Sequence, residues 1–399
     1  MTTSLGTTAH SGPVHYNPYA HEVHDDPFPF YARLRREAPV YRNDDLGFWA
    51  LSRHADVLDA FHDHEHFSSA GGITLEQNPQ FPMLITTDPP QHTKLRRLVS
   101  RAFTPRRVAD LEPAIRTRAT DFLDVVSRRG EAELIDDYAG KLPMHVICRM
   151  LGTPHGDEDQ LRGWSDLLLH REEGIPDVTP AGIEASIELY RYFVDLVREK
   201  HATPGDDLTS ALLAAELDGE RLTDQDVIGF CFLLIIAGNE TTTKLIGNAL
   251  LALQRFPAER AKLLADPARI PDAIEEVLRF DGSTQVMART LTTDVTRHDI
   301  TMPAGDKVLL LIGSANHDET VFDRPDVFDI DRDKQLHLGF GHGIHVCLGA
   351  ALARLEMRVS LEEILARMPD YVIDEDRLVR VHSGNVRGFA HMPIAWSRA

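Results

Sequence analysis

A stretch of ten residues near the C-terminus carries the densest group of side chains that could do chemistry. Residues 340–349 read Phe-Gly-His-Gly-Ile-His-Val-Cys-Leu-Gly and lead into a helical pattern from about Leu348 to Arg367. The glycines allow a tight loop and the close approach of a flat ligand. Cys347 lies at the predicted start of the helix, where N–H groups and the helix dipole stabilise a thiolate. Such a thiolate is suited to act as an axial ligand of haem iron.

Two other interpretations of this loop remain open on its residues alone. A single cysteine beside a glycine is most often a buried and inert thiol. Alternatively, His342, His345 and Cys347 could bind zinc in a zinc-dependent hydrolase, although the spacing offers no fourth ligand nearby and matches no standard finger.

A second group of polar residues interrupts an apolar helical pattern in the middle of the chain. Residues 236–243 read Ile-Ala-Gly-Asn-Glu-Thr-Thr-Thr. Gly238 leaves space for a small molecule, and burial of Glu240 costs several kcal/mol unless the carboxyl is hydrogen-bonded or protonated. Thr241 can donate to the carbonyl of Ala237, which loosens or bends a helix. A polar patch at a helix crossing is the alternative interpretation.

Charged residues form two further patterns. Glu276 and Arg279 are spaced to lie on neighbouring positions of a helix, where such pairs are usually solvated and weak. His92 and Arg96 share a helical face, so both can reach one carboxylate. The segment around them holds a run of bases without an acid, which predicts a docking site for an acidic partner. This basic segment comprises Lys94, Arg96, Arg97, Arg101, Arg106 and Arg107.

The elements that must position these residues are mostly helical. Thr223 and Asp226 form a predicted capping box, and Pro257 ends a helix of roughly thirty residues, about 45 Å long at the standard rise. Strands are predicted at residues 286–291 and 307–312, and near the N-terminus on either side of a turn at residues 43–47. The chain is therefore predicted to be mainly α with a small β portion.

Composition excludes several classes of protein. The formal net charge is 42 minus 62, or −20, which argues against a general nucleic-acid binder. Three cysteines are too few for a disulfide framework and suit a reducing cytoplasm. The longest strongly apolar run is about half of what a bilayer needs, and no targeting segment is visible.

Residues 340–349 resemble the cysteine loop of the bacterial cytochrome P450 monooxygenases, whose form Phe-x-x-Gly-x-His/Arg-x-Cys-x-Gly they match without a gap. The resemblance covers nearly the whole chain and implies the triangular-prism haem-thiolate fold. It implies a flexible tail over residues 1–15 and one haem domain over residues 16–399. The cofactor would be haem b, with the Cys347 thiolate as its axial ligand.

The same resemblance implies further roles for single residues. Phe340 would shield the sulfur, and His345 would hydrogen-bond a haem propionate. The implied haem-binding residues are Phe340, Gly349, His345, His92, Arg96 and Arg289. Ala237, Gly238, Glu240 and Thr241 would form the oxygen-binding groove, with Thr241 and Glu240 as the proton relay.

The Glu276–Arg279 pair would be structural and needed for haem loading. The family often adds an arginine in a Pro-x-Arg-Phe motif, but this chain has Val327 at that position. Arg332 is a candidate replacement, and the third partner of the pair stays open.

The implied reaction uses O₂ and electrons from a ferredoxin and ferredoxin reductase to hydroxylate a hydrophobic fatty acid, terpenoid, steroid or polyketide. Its pocket would be lined by Met83, Leu84, Ile85, Thr86, Ile236, Val286, Met287 and Val386. The acidic ferredoxin would dock on the basic segment of a cytoplasmic monomer that contacts neither nucleic acid nor membrane. A non-catalytic haem sensor is the remaining alternative, but Glu240 and Thr241 would then have no evident purpose.

Overall fold

The computed structural model describes residues 12–76, 83–101, 103–217, 219–333 and 335–397. Helix accounts for 53% of it and strand for 12%, which confirms the predicted mainly α class with a small β portion. The predicted tail over residues 1–15 falls mostly on residues 1–11, which lie outside the described residues.

The α-helices of the described residues vary from single turns to one element that crosses the whole protein. They are α1 (His21–Asp25), α2 (Phe28–Glu37), α3 (His54–His62), α4 (Gln91–Ser100), α5 (Pro105–Ala109), α6 (Glu112–Val126), α7 (Lys141–Leu151), α8 (Glu158–Leu169), α9 (Pro180–Ala202), α10 (Leu208–Ala214), α11 (Asp224–Arg255), α12 (Pro257–Ala265), α13 (Ile270–Phe280), α14 (Ile312–Ala315) and α15 (Ala350–Arg367).

The strands are short and form one mixed sheet and several small ones. They are β1 (Val40–Asn43), β2 (Phe48–Leu51), β3 (Phe67–Ser68), β4 (Glu131–Glu133), β5 (Glu216–Leu217), β6 (Glu220–Arg221), β7 (Val286–Leu291), β8 (Val295–Arg297), β9 (Ile300–Met302), β10 (Lys307–Leu311), β11 (Val372–Ile373), β12 (Val379–Arg380), β13 (Phe389–His391) and β14 (Pro393–Ala395). The largest sheet has the order β1-β2-β10-β7-β3. The strands predicted at residues 286–291 and 307–312 are thus confirmed as β7 and β10.

Helix α11 has the ends that the sequence predicts. The Thr223 hydroxyl accepts a hydrogen bond from the Asp226 N–H at 3.1 Å, and the Asp226 carboxylate accepts from the Thr223 N–H at 2.9 Å. Pro257 opens the next helix. Among the described helices, α11 alone is long and apolar enough to cross a membrane, but most of its apolar part is buried inside the protein. It packs against α7, α8, α9, α13 and α15, as a core helix does.

Apolar side chains of the sheet strands alternate between two clusters. On β10, Val308 and Leu310 belong to one buried cluster, whereas Leu309 and Leu311 belong to the other. The cause is the period of two in a strand, which sends successive side chains to opposite faces. The same alternation on β7 decides which of its residues reach the site.

Candidate active site

One cavity lies between the middle of α11, strand β7 and the loop that precedes α15. It contains about 1380 Å³ of empty space, part of it open to solvent. Cys347, Thr241 and Arg289 all lie in its wall. The fold therefore brings the cysteine loop, the polar middle of α11 and the buried arginine of β7 to one cavity.

The loop before α15 depends on two glycines with left-handed backbone conformations. Gly341 has φ 65° and Gly343 has φ 68°, and a Cβ on Gly343 would lie 2.2 Å from the carbonyl oxygen of Phe61. The Cys347 N–H donates to the carbonyl of Phe340 at 2.9 Å. This bond closes the loop and presents the thiol to the cavity.

Opposing effects act on the charge of the thiol. Burial raises the pKa of Cys347, and the Gly349 N–H together with Arg96 and Arg354 opposes this rise. The predicted stabilising N–H donor is therefore present, while desolvation acts against it. A metal cation deprotonates a coordinating thiol, so ligand binding would supply the missing stabilisation.

Four basic side chains gather at one end of the cavity: Arg96, Arg289 and His345 line its wall, and His92 lies beside His345. His92 is 2% exposed, and neither of its ring nitrogens has a hydrogen-bond partner. The Nε2 atom of His345 is also buried and unpartnered, and the two rings lie 4.2 Å apart between centroids. Arg289 is buried and donates to the carbonyl of Ala288, and Arg96 lines the same cavity.

These groups fit a ligand that brings its own carboxylates. Burial, followed by the positive charges of Arg289, His92 and Arg96, lowers the pKa of His345 to about 3. Burial also lowers the pKa of Arg289 to about 10. No salt bridge joins Arg96 or Arg289 to a carboxylate within the described part of the chain. Because unpaired buried cations are costly, the donor set suits the two propionates of a haem.

Three residues of α11 face the cavity as the sequence predicts. Ala237, Gly238 and Thr241 line its wall. The predicted hydrogen bond from the Thr241 hydroxyl to the carbonyl of Ala237 is present at 2.6 Å. The helix nevertheless continues without interruption from Asp224 to Arg255. The hydroxyl is thus held at the cavity without breaking the element that carries it.

Glu240 lies outside the cavity wall in an ionic contact of its own. The side chain is 4% exposed, and its Oε2 lies 3.0 Å from Nζ of Lys244. Its Oε1 accepts a hydrogen bond from Asn239 Nδ2 at 3.1 Å. These partners offset the cost of burying the carboxylate.

Asp166 of α8 is a functional candidate that the sequence reasoning missed. Its carboxyl hydrogen-bonds to the Glu240 carboxylate, and the residue is exposed to solvent on its other side. Partial desolvation and the negative charge of Glu240 raise the pKa of Asp166. No local pattern marks this residue, since only the packing of α8 against α11 brings it to Glu240.

Glu356 of α15 was also missed. It lines the cavity, is 1% exposed, and its Oε1 has no hydrogen-bond partner. Burial raises its pKa to about 8, so the carboxyl is largely protonated at neutral pH. A single glutamate in an apolar helix pattern gave no signal for this position.

Glu276 and Arg279 form a buried ion pair, with side chains 5% and 2% exposed and the nearest atoms 2.7 Å apart. The third partner left open by the sequence is Arg332, whose Nε donates to Glu276 Oε1 at 3.1 Å. Arg279 also donates to the carbonyls of Asn316, Pro325 and Val327. The pair therefore ties α13 to the segment that precedes the cysteine loop.

The structure places only part of the predicted pocket at the cavity. Leu84, Ile85 and Met287 line it, whereas Met83, Thr86, Ile236, Val286 and Val386 do not, so the prediction was wrong for these five. Val286 points to the opposite face of β7 from Met287, and Ile236 lies about 100° around α11 from Ala237. Val386 bridges to Thr284 and lines a separate, smaller cavity.

Further apolar residues that the sequence did not single out contribute to the wall. They include Phe61, Ile73, Phe103, Ile147, Phe230, Leu233, Leu234 and Leu245. Several of them are separated by long stretches of chain, so periodicity within one segment could not group them.

The basic segment divides between the cavity and the surface. Arg96 lines the cavity, so its placement among docking residues needs correction. Lys94 lies 3.1 Å from Glu220 and is thereby paired within the chain. The members on the exterior are Arg97, Arg101, Arg106 and Arg107, all exposed.

The three zinc ligands of the hydrolase alternative do not converge. His342 Nδ1 lies 2.5 Å from Nε2 of His62, while His345 turns to His92. Within the described ranges, the groups whose ligand atoms lie close enough for one ion do not include Cys347.

Comparisons with known proteins agree with this geometry. The family model described as Cytochrome P450 matches residues 184–369. Cytochrome P450 123 of Mycobacterium tuberculosis is 48% identical over 386 residues, covering 95% of this chain and 96% of its own. The vitamin D(3) 25-hydroxylase of Pseudonocardia autotrophica is 40% identical over 410 residues and covers 98% of each chain. A Bacillus megaterium cytochrome P450 crystallised with testosterone has a TM-score of 0.88 and 34% identity, covering 94% of this chain and 99% of that one.

Proposed function

The chain belongs to the cytochrome P450 family and is a monooxygenase, and from this premise we propose that it hydroxylates a hydrophobic substrate of the steroid type with electrons from a separate ferredoxin-type protein. The observation that carries the proposal is the apolar wall of the cavity next to Thr241. Phe230, Leu233, Leu234 and Met287 contribute to this wall. A bulky apolar molecule gains most by leaving water for such a surface.

The family and its fold use haem with a cysteine thiolate ligand. In this chain we assign the thiolate to Cys347 and the propionate contacts to the four basic residues His92, Arg96, Arg289 and His345. Phe340 stands beside the thiol in the cavity wall, with the Arg354 guanidinium 4.6 Å from its ring centroid. The bound haem supplies the activation of O₂, while the protein holds the ligand, delivers protons and orients the substrate.

Both the chemistry of the wall and two relatives of this chain support the steroid class. One relative is named a vitamin D(3) hydroxylase and another was crystallised with testosterone. Ser283 and Thr284 add hydroxyl groups to the mainly apolar wall. Such isolated polar groups orient a ligand that is held mainly by apolar contact. A steroid is a ligand of this kind, and its oxygen atoms would hydrogen-bond to these hydroxyls.

Direct evidence would come from titrating the haem-loaded protein with steroids and long-chain fatty acids. We expect at least one steroid to shift the haem absorption band, with a shift that saturates as the steroid concentration rises. Mass spectrometry should then detect a hydroxylated product of that steroid. A response to fatty acids alone would reject the steroid class. Saturable binding without turnover, given a competent electron donor, would favour the haem sensor.

A proton route from solvent to the cavity is the second part of the proposal. The hydroxyl of Thr241 lines the cavity, and the next residue, Glu240, hydrogen-bonds to the exposed Asp166. Asp166 takes up protons from water and passes them to the Glu240 carboxylate. Thr241 holds the last proton at its Oγ1, with the carbonyl of Ala237 fixing the orientation of that hydroxyl.

Replacing Thr241 with Ala is expected to lower the product formed per electron pair roughly 10-fold, since proton delivery of this kind contributes about that much or more. Electron consumption should continue, and the difference should be released as hydrogen peroxide. The measurement compares NADH consumption with product and peroxide yields.

Thr243→Ala is the matched control, because Thr243 lies on the same helix but donates to the carbonyl of Ala139, outside the cavity. We expect its coupling to equal that of the wild type, and Thr241→Ser to restore most of the loss. Full coupling in Thr241→Ala would remove this residue from the proton route.

An acidic electron donor would dock on the exterior part of the basic segment. Arg97 follows the cavity residue Arg96 on α4, and Arg106 and Arg107 belong to α5. These exposed arginines are close in sequence to Arg96, which we assign to the haem propionates. The protein thus carries positive surface charge near the proposed haem site, although its net charge is −20. Complementary charge speeds the encounter with an acidic protein.

Reversing both charges in Arg106→Glu/Arg107→Glu is expected to slow reduction by an acidic ferredoxin roughly 10-fold at low salt and to weaken its salt dependence. Stopped-flow reduction at several ionic strengths measures both effects. The control Arg191→Glu/Arg198→Glu reverses two exposed charges on α9 and should leave the rate unchanged. Equal rates in both double variants would contradict docking at α5.

The cytoplasm and a monomeric state remain predictions for this chain. The division into a tail and one domain over residues 16–399 likewise remains a prediction.

A further inference from the structure

Histidines gather at a second place in the fold, outside the cavity already described. His21 and His24 lie one helical turn apart on α1, and His382 lies in the connection between β12 and β13. The ring nitrogens of these three lie within 4.8 Å of one another. A fourth histidine, His170 at the end of α8, has its ring centroid 6.4 Å from that of His382.

His24 is held in the tautomer that a metal ligand needs. Its Nε2 lies 2.8 Å from the carbonyl oxygen of Pro18, and since a carbonyl only accepts, Nε2 carries the proton. The lone pair is therefore on Nδ1, which is buried and has no hydrogen-bond partner. The residue is 9% exposed. Donation of the second ring N–H to a backbone carbonyl is the usual way in which proteins orient a metal-binding histidine.

His21 also presents a free ring nitrogen. Its Nε2 is buried without a partner, and its Nδ1 lies 3.8 Å from Oε2 of Glu173, beyond hydrogen-bond distance. Two of the three histidines thus present an unpartnered buried nitrogen, and a carboxylate lies near the second of them.

We propose that His21, His24 and His382 bind a zinc ion, at a site distinct from the haem cavity. Three imidazole nitrogens are a ligand set that suits Zn²⁺ and excludes the oxygen-seeking Ca²⁺ and Mg²⁺. Tetrahedral coordination places ligand nitrogens about 3.3 Å apart. The partly exposed rings of His21 and His382 must rotate out of their stacked arrangement for both nitrogens to point at one ion. Water or the ring of His170 takes the fourth position.

The charge around the cluster favours a dication. His21 and His382 stack with their ring centroids 3.6 Å apart, which suits neutral imidazoles. Asp25 and Glu173 lie close enough to act electrostatically on His382.

The ion would join segments that also meet at the haem cavity. The Arg171 N–H, just after α8, donates to the carbonyl of His382 at 2.8 Å. Further along the same connection, Val386 bridges to Thr284, a residue of the cavity wall. Zinc would therefore link α1 to the β12–β13 connection, and this connection contacts a residue that lines the cavity.

Equilibrium dialysis of tag-free, haem-loaded protein against Zn²⁺, with metal analysis by mass spectrometry, tests the proposal. We expect one saturable equivalent of zinc per chain in the wild type. His382→Gln and His21→Gln, which change partly exposed residues, should each weaken binding by at least 10-fold. His201→Gln is the control, since His201 is an exposed histidine paired with Asp224, and it should bind zinc like the wild type.

Hydrogen exchange provides a second measurement that does not depend on turnover. Zinc should slow the exchange of amides in residues 18–26 and 380–386 in the wild type but not in His382→Gln. The carbon monoxide spectrum of each variant checks that the haem site is intact. Absence of a saturable equivalent in the wild type, or equal binding in His382→Gln and His201→Gln, would overturn the zinc site while leaving the monooxygenase assignment untouched.

Discussion

Cys347→Ser is expected to abolish the red-shifted band of the reduced carbon monoxide complex and to lower turnover at least ~100-fold, because an oxygen ligand cannot replace the thiolate that drives O–O cleavage. The substitution changes one atom in a loop whose geometry depends on Gly341, Gly343 and the hydrogen bond from the Cys347 N–H to Phe340. That backbone bond does not involve the side chain. The protein should therefore stay folded while its spectrum changes.

The matched control is Cys148→Ala. Cys148 lies on α7, is 2% exposed and contacts Met144, and it does not line the cavity wall. We expect the carbon monoxide band and the turnover of this variant to match those of the wild type. A red-shifted band that survives in Cys347→Ser would remove Cys347 as the iron ligand.

Arg279→Ala is expected to lower the free energy of unfolding by about 3 kcal/mol, at the lower end of the cost of breaking a buried ion pair. The lower end applies because Arg332 still contacts the Glu276 carboxylate. The variant also leaves the carbonyls of Asn316, Pro325 and Val327 without their donor. Urea unfolding followed by circular dichroism measures the loss of stability.

The haem content of the same variant should fall as well, since Arg279 anchors the segment that leads to the cysteine loop. The ratio of haem to protein after purification measures this effect. Arg255→Ala removes an arginine from a pair with Glu375 in which both side chains are exposed, by 51% and 37%. Such a pair contributes no more than about 1 kcal/mol. If both variants lost equal stability, the buried pair of Arg279 would contribute no more than an exposed one, which would contradict this prediction.

Local patterns in the sequence were sufficient for the elements and for the residues at their ends. The capping pair of Thr223 and Asp226 lies within one turn, and the strand alternation at residues 286–291 lies within one element. The hydrogen bond from Thr241 to Ala237 likewise spans one turn of α11. These features depend on interactions between near neighbours, which the order of residues specifies directly.

The candidate site required more than local patterns at several positions. Val286 was assigned to the pocket together with Met287, although a strand sends neighbouring side chains to opposite faces. Asp166 reaches Glu240 only because α8 packs against α11, and the desolvation that opposes the N–H donor at Cys347 has no signal in the sequence. Desolvation depends on every atom around a group, including those far away in the chain.

The sequence by itself determined the reaction class, because a reactive cysteine, the glycines around it and a hydroxyl-bearing helix are short motifs whose chemistry is carried by residue type and spacing. Only the tertiary structure decided which side chains form the cavity wall, which arginine completes the Glu276 pair, and that His21, His24 and His382 meet. The physical reason is that burial and long-range contact arise from the packing of whole elements, and no short segment contains that information.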